Sequence, residues 1–214
     1  MDMDQMATLI AMTLGVSWAS GINLYAAMLA LGLAGATGHA VLPEELQILQ
    51  SPLVIAAAGL MYCVEFFADK IPGVDTGWDA LHTFIRLPAG ALLASGMMAD
   101  AGQGAQLAAM IVGGGLAAGT HATKAGSRAL INTSPEPVSN WFASIGEDIA
   151  VFAGVWAMIN HPYMFLGFLI LFILLMIWLL PKIWRGIKLV WRKLFGGKQE
   201  QPAVETTEPG PPGS

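Results

Sequence analysis

Ionisable residues stand at helical spacing inside segments that are otherwise apolar, and these are the residues able to do chemistry. Glu65 and Asp69 are four apart. Asp75, Asp79, His82 and Arg86 follow at i, i+4, i+7 and i+11, which is one continuous stripe along a helix. His121, Lys124, Arg128 and Asn132 make a second stripe. Asn140, Ser144 and Glu147 make a third, with Asp148 beside them. A charge at the centre of a membrane helix costs about 2.5–3.5 kcal/mol on the insertion scale. Several of them facing lipid would sum to a large penalty, so they must face one another across a shared, hydrated interior. Between Glu65 and Asp148 there are eight acids but only four Lys or Arg. Ion pairing therefore leaves carboxylates over, to be protonated, solvated or bound to a cation. Glu147 and Asp148, adjacent in a medium of low dielectric, are the strongest candidates for a proton role.

The elements that position these residues are read from the apolar runs. The chain has 214 residues, 55% hydrophobic and 12% charged, with a mean hydropathy of +0.61. A soluble domain carries about 25% charged residues, so lipid must cover much of this surface. A spanning helix needs roughly 20 mostly apolar residues, and six stretches qualify. They lie within Met6 to Gly38, Pro52 to Lys70, Trp78 to Met98, Gln106 to Ile131, Val138 to Asn160 and Pro162 to Leu180. The first is long for one helix and is loosened by Ser17, Ser20, Gly21 and Asn23. Pro88 interrupts the third, and Pro181 ends the sixth. The expected fold is all-α, a polytopic transmembrane bundle of about six spans over residues 1–181. A basic amphipathic juxtamembrane segment over 182–195 follows, with Lys182, Arg185, Lys188, Arg192 and Lys193 among Trp184 and Trp191. The Gly-, Pro-, Glu- and Thr-rich 196–214 reads as a disordered tail.

Positive charge sets the orientation. Basic residues concentrate on the cytoplasmic side, and six spans with both termini cytoplasmic bring all ten Lys and Arg toward that half. A re-entrant first segment would leave five spans. Two loops also match at one offset: Pro72 and Trp78 are six apart, as are Pro135 and Trp141, which sets Asp69 on Asn132 and Glu65 on Arg128. This suggests a weak internal two-helix repeat, acidic in one copy where the other is basic, of the kind that places transporter sites at repeat interfaces. Asp75 and Ser134 are also suited to capping the helices that follow them.

Other motifs are absent. The chain has no Walker-type loop, HExxH or nucleophile elbow, so no catalytic residues or cofactor are assigned, and the balance is against an enzyme without excluding one. Cys63 is the only cysteine, which excludes an intramolecular disulfide. Gly113-Gly114-Gly115 reads as a close-packing patch. His82 and His121 have the donor chemistry to join Glu147 and Asp148 around a divalent metal, but their spacing does not decide it. A formal net charge of −5 argues against a nucleic-acid partner.

Several strings are more specific. Gly21-Ile22-Asn23-Leu24-Tyr25, Val64 through Asp75, Trp78 through Arg86, Lys124-Ala125-Gly126-Ser127-Arg128 and Ser134 through Asn140 resemble the membrane family known as domain of unknown function 4126. The resemblance covers roughly Gly15 to Asn160 and implies a bacterial-type inner-membrane protein, without supplying a substrate. A looser similarity links Glu65 to Lys70 with cation/proton exchangers that carry a Glu-x-Gly-Asp-Lys-Thr/Ser motif. Here the acids are four apart instead of three, Ala68 replaces the Gly and Ile71 replaces the Thr/Ser.

Three functions fit these residues. A small transporter or exchanger would bind a cation, proton or small molecule through Glu65, Asp69, Asp79, His82, His121, Asn132, Glu136, Glu147 and Asp148. Arg86, Lys124 and Arg128 would complete that site. A non-catalytic scaffold would use the same charges to join helices. A lipid-directed enzyme or binding protein would grip a lipid phosphate with Lys70, His82, Arg86, Lys124 and Arg128. The bilayer is the expected partner in each case, and a homo-oligomer is compatible with the sequence.

Overall fold

The computed structural model describes residues 2–71, 73–133 and 137–195, which form six α-helices and two short 3-10 turns, with no strand among them. The helices are α1 (Met3–Ala36), α2 (Pro52–Ala68), α3 (Val74–Met97), α4 (Gln103–Ile131), α5 (Pro137–Asn160) and α6 (Pro162–Phe195). The all-α expectation is met. By length and apolarity Met3–Ala36, Val138–Asn160 and Pro162–Arg192 are each able to cross a bilayer, and the turn Glu44–Gln50 with α2, bent at 66°, adds a fourth candidate. That is fewer than six, because α3 and α4 are more polar, as helices lining a charged interior must be.

The first segment departs most from a simple span. Asn23 sits inside α1 with non-helical angles (φ −148°, ψ 99°), and the chain reverses there. Before the break, α1 runs antiparallel to α5: Gly15 packs on Met158, Gly154 on Trp18, and Asn23 meets Asp148. After it, α1 runs antiparallel to α2: Leu29 touches Gly59, Gly32 touches Ile55 and Gly35 touches Gln50. Since α2 and α5 are themselves antiparallel, with Lys70 on Ser144 and Tyr62 on Phe152, the two halves of α1 point in opposite directions. The start of α1 lies by the α5–α6 junction, where Tyr163 Oη donates to Asp4 Oδ1 at 2.8 Å. Its end lies by the 3-10 turn, whose Leu46 packs against Gly96 near the end of α3. Both ends of α1 thus share one end of the bundle, opposite the charged end where α2 and α4 finish. This is the re-entrant arrangement, in place of a first helix crossing the bundle. A straight 34-residue helix would be about 51 Å long, well beyond a hydrocarbon core of about 30 Å.

Small residues let the central helix approach its neighbours. A Cβ at Gly21 would lie 2.6 Å from Ala117 O and 2.7 Å from Thr120 Cβ, and one at Gly113 2.4 Å from Ala94 Cβ. Gly113 and Gly114 therefore do form part of a packing patch, whereas Gly115 faces open space. Hydroxyls stitch the same seam, with Ser17 Oγ donating to Gly90 O and Ser20 Oγ to Arg86 O, both at 3.2 Å. Trp18, Val16, Leu31, Val151, Met158, Phe165 and Leu169 fill the apolar half.

The sixth helix does not end at Pro181 but continues to Phe195 with the proline inside it. One missing N–H is tolerable in a long helix, and the basic 182–195 segment is an extension of α6 in place of a separate element. Residues 196–214 lie outside the described part. Gly21→Ala should destabilise the protein by roughly 1–3 kcal/mol, read as a lower thermal midpoint in detergent. Backbone and a β-branched residue, which cannot yield, sit where the new methyl would go.

Candidate functional site

The break in α1 leaves two backbone groups to be satisfied. In an unbroken helix the Ala26 N–H would bond the Ile22 carbonyl. Here Ala26 N donates to Asn23 Oδ1 at 2.9 Å, so the asparagine caps the second half. The freed Ile22 carbonyl accepts from Lys124 Nζ at 3.0 Å. Asn23 Nδ2 in turn donates to Asp148 Oδ1 at 3.1 Å. The tip of the re-entrant helix is thereby held by a lysine of α4 and a carboxylate near the middle of α5.

Around this tip the stripes close into one network. Arg86 pairs with Glu65 and, at 2.9 Å, with Asp79. Lys124 Nζ lies 2.8 Å from Asp69 Oδ2 and within 4 Å of Glu65, Asp79 and Glu147. Arg128 bonds Glu147 through Nε (3.2 Å) and Nη2 (2.7 Å), and donates from Nη1 to Asp69 O and Asn140 O. Lys70 Nζ donates to Phe66 O at 3.0 Å and Ser144 Oγ at 3.3 Å. Glu65, Arg86 and Arg128 are fully buried, and Asp69, Asp79, His82, His121, Lys124 and Asp148 are buried with them. The Glu147 side chain is 21% exposed, which makes it the most open member of the network.

The two histidines meet different partners. The Arg86 guanidinium donates to His121 Nδ1 at 3.2 Å, while the Thr83 hydroxyl is spent on Asp79 O and so accepts from His121 Nε2 at 2.7 Å. That partner set fixes a neutral Nε2–H tautomer. His82 Nδ1 donates to Trp78 O at 2.9 Å, and its Nε2 lies 3.1 Å from Tyr25 Oη, a hydroxyl able to donate or accept. The interior holds six carboxylates (Glu65, Asp69, Asp75, Asp79, Glu147, Asp148) and four cations (Lys70, Arg86, Lys124, Arg128), of which Lys70 has no ion pair among the described residues. Among the described residues Asp75 and Asp148 have no ion pair. Buried oxygens of Glu65, Asp69, Asp79 and Asp148 have no hydrogen-bond partner at all.

Several expectations change. Glu65 and Asp69 meet Lys124, the guanidinium on Glu65 is that of Arg86, and Arg128 binds Asp69 mainly through its backbone carbonyl. Glu147 is drawn to Arg128, which separates its environment from that of Asp148. The histidines do not join Glu147 and Asp148, and no group of three or more His, Cys, Asp or Glu among the described residues is placed to hold a metal ion. Asn132 lies outside the cage and ties the end of α4 to the first turn of α3, its Nδ2 donating to Asp75 and Thr76 Oγ1. Asp75 accepts from Gly73 N and Thr76 N as well as from Asn132 and Asn140, so it staples α3 to the α4–α5 connection. Glu136 and Ser134 lie outside the described residues. Asp69 and Asn132 close α2 and α4 with the same geometry, each N–H reaching the carbonyls four and two residues back. Thr37 closes α1 in the same way, its N–H reaching Leu33 O and Gly35 O, so this common ending does not distinguish a repeat.

A family model for a domain of unknown function, DUF4126, matches residues 10–182. The chain belongs to the DUF4126 family. The matched span takes in the whole charge network and stops just inside the basic extension of α6. No curated protein and no solved structure matches the chain. Within this DUF4126 chain, sequence reasoning missed Tyr25, Thr83, the Ile22 carbonyl and the pairing of Asn23 with Asp148. The available signal was Gly21 followed by Asn23 in the middle of an apolar run, a poor helix-forming pair where a break is least expected.

Removing one partner of a buried ion pair costs about 3–5 kcal/mol. Arg86→Met should therefore lower stability by about that amount in detergent. Adding Glu65→Gln should recover part of the loss, because it removes the carboxylate that Arg86→Met strands.

Proposed function

We propose that this membrane protein is a small transporter or exchanger of the inner (plasma) membrane, with a cation- or proton-binding site at the tip of its re-entrant helix. The observation that carries the reading is the excess of buried carboxylate. Six acids stand against four cations in the interior, and four of the acids keep an oxygen without a partner. A scaffold needs only matched pairs, since an unmatched buried charge destabilises it. Broken helices with freed carbonyls at mid-bundle are a recurrent way for transporters to hold ions.

Asp148 is the residue we assign to binding the transported cation or proton. It is fixed by Asn23 at the tip yet has no cation within ion-pair distance among the described residues. Glu65, Asp69, Asp79 and Glu147 supply the remaining negative field, and Arg86 and Arg128 hold these carboxylates in place. Glu147, the most open of them, marks the way in from the charged end. The lipid-phosphate reading has less support, because Arg86, Lys124 and Arg128 already face carboxylates. With the basic end of α6 cytoplasmic, the charged end faces the cytoplasm. The N-terminus, beside the start of α6, then faces the opposite side.

Flux in proteoliposomes tests this reading. Vesicles containing the protein and an internal pH dye should respond to imposed gradients of sodium, potassium or ammonium faster than protein-free vesicles. Asp148→Asn, which keeps an acceptor for Asn23, should return the rate to the protein-free level. Wild-type vesicles no faster than empty ones across all gradients, or an Asp148→Asn protein as fast as wild type, would count against transport.

A further inference from the structure

Lys124 Nζ occupies the kind of position a free ion would take. Five oxygens surround it: Asp69 Oδ2 at 2.8 Å, Ile22 O at 3.0 Å, Glu65 Oε1 at 3.5 Å, Glu147 Oε2 at 3.6 Å and Asp79 Oδ1 at 3.7 Å. They come from α1, α2, α3 and α5, whereas the lysine comes from α4. An ammonium has three hydrogens to donate, so five oxygens exceed what it can bond, and the rest of the contact is charge alone. The shell is also richer in acceptors than its occupant requires. Glu65, Asp69 and Asp79 are at least 98% buried, and each leaves its second oxygen without any partner. One shell oxygen is a backbone carbonyl present only because α1 is broken.

The spacing limits what fits. Mg²⁺ and Ca²⁺ take oxygens at about 2.0–2.6 Å, closer than any distance in this shell. This agrees with the absence of a metal-ligating group among the described residues. The separations suit an ion the size of the ammonium already there.

We propose that this shell is a site for a desolvated monovalent cation of ammonium size, and that Lys124 is its tethered occupant, which the free ion replaces. The proposal rests on the transport reading, in which Asp148 stands next to this shell at the same helix tip through Asn23, and it names the class of ion. It makes lysine and substrate mutually exclusive at one place, so the site stays filled when no ion is bound.

The test uses the full-length Lys124→Ala protein in detergent, comparing thermal midpoints in ammonium, potassium, magnesium and N-methylglucamine chlorides at matched ionic strength. Ammonium and potassium, at roughly 100 times their dissociation constants, should raise the midpoint by about 5 °C or more. Magnesium and N-methylglucamine should not, and wild type should respond less than the variant. Equal shifts in all four salts, or no shift in any, would overturn the proposal. If Lys124→Ala does not fold, the double variant Lys124→Ala with Glu65→Gln, which removes one charge of each sign and keeps three carboxylates, is read in the same way. Ion-specific stabilisation with no wild-type flux would keep the shell and remove the transport reading. Flux without ion-specific stabilisation would do the reverse.

Discussion

The structure depends on one contact, the Lys124 ammonium on the Ile22 carbonyl that the break in α1 sets free. Irregular backbone at membrane depth is tolerated only where protein or a polar cavity covers it. The freed carbonyl therefore has to be central, and it has to meet a donor. Lysine meets the carbonyl, but brings a charge that cannot stay alone in a low dielectric. Carboxylates on α2, α3 and α5 follow from that requirement. The central place of α1, the glycines that let it approach α3 and α4, and the stripes on its neighbours are consequences of the same constraint.

The network over-answers its own requirement. Arg86 and Arg128 are long, always charged and bidentate, and they lock Glu65, Asp79 and Glu147 into fixed positions. Asp75 and Asp148 have no ion pair among the described residues, and buried Lys70 has none either. Asp75 is surrounded by amide donors and closes the loops. Asp148 has one amide donor and one bare oxygen beside the helix break. The two unmatched acids are therefore different in kind, the first built into the architecture and the second left available.

Much of this was legible in the sequence. The period of Asp75, Asp79, His82 and Arg86 placed all four on one buried face, and the excess of acids over bases survived folding. What could not be read was partner choice. Helix spacing says which residues share a face but not which faces meet, so Arg86 taking Glu65 and Arg128 taking Glu147 had to come from the fold. The reversal at Asn23 was hidden for a related reason. Apolar composition on both sides of the asparagine looks the same whether the chain continues or turns back, and only the cover supplied by α2 and α5 decides between them. Pro181 misled in the opposite direction, since the surrounding run of helix-forming residues carries α6 through it.

The most direct test of the account is the side of the membrane on which each end of α1 lies. With Cys63, which is exposed, replaced by Ala, single cysteines at Met3, His39 and Lys188 would be challenged with a membrane-impermeant thiol reagent in sealed vesicles of known orientation. The account predicts that Met3→Cys and His39→Cys are modified from the same side and Lys188→Cys from the other. Modification of Met3→Cys and His39→Cys from opposite sides would mean that α1 crosses the membrane and that the break at Asn23 does not turn it back.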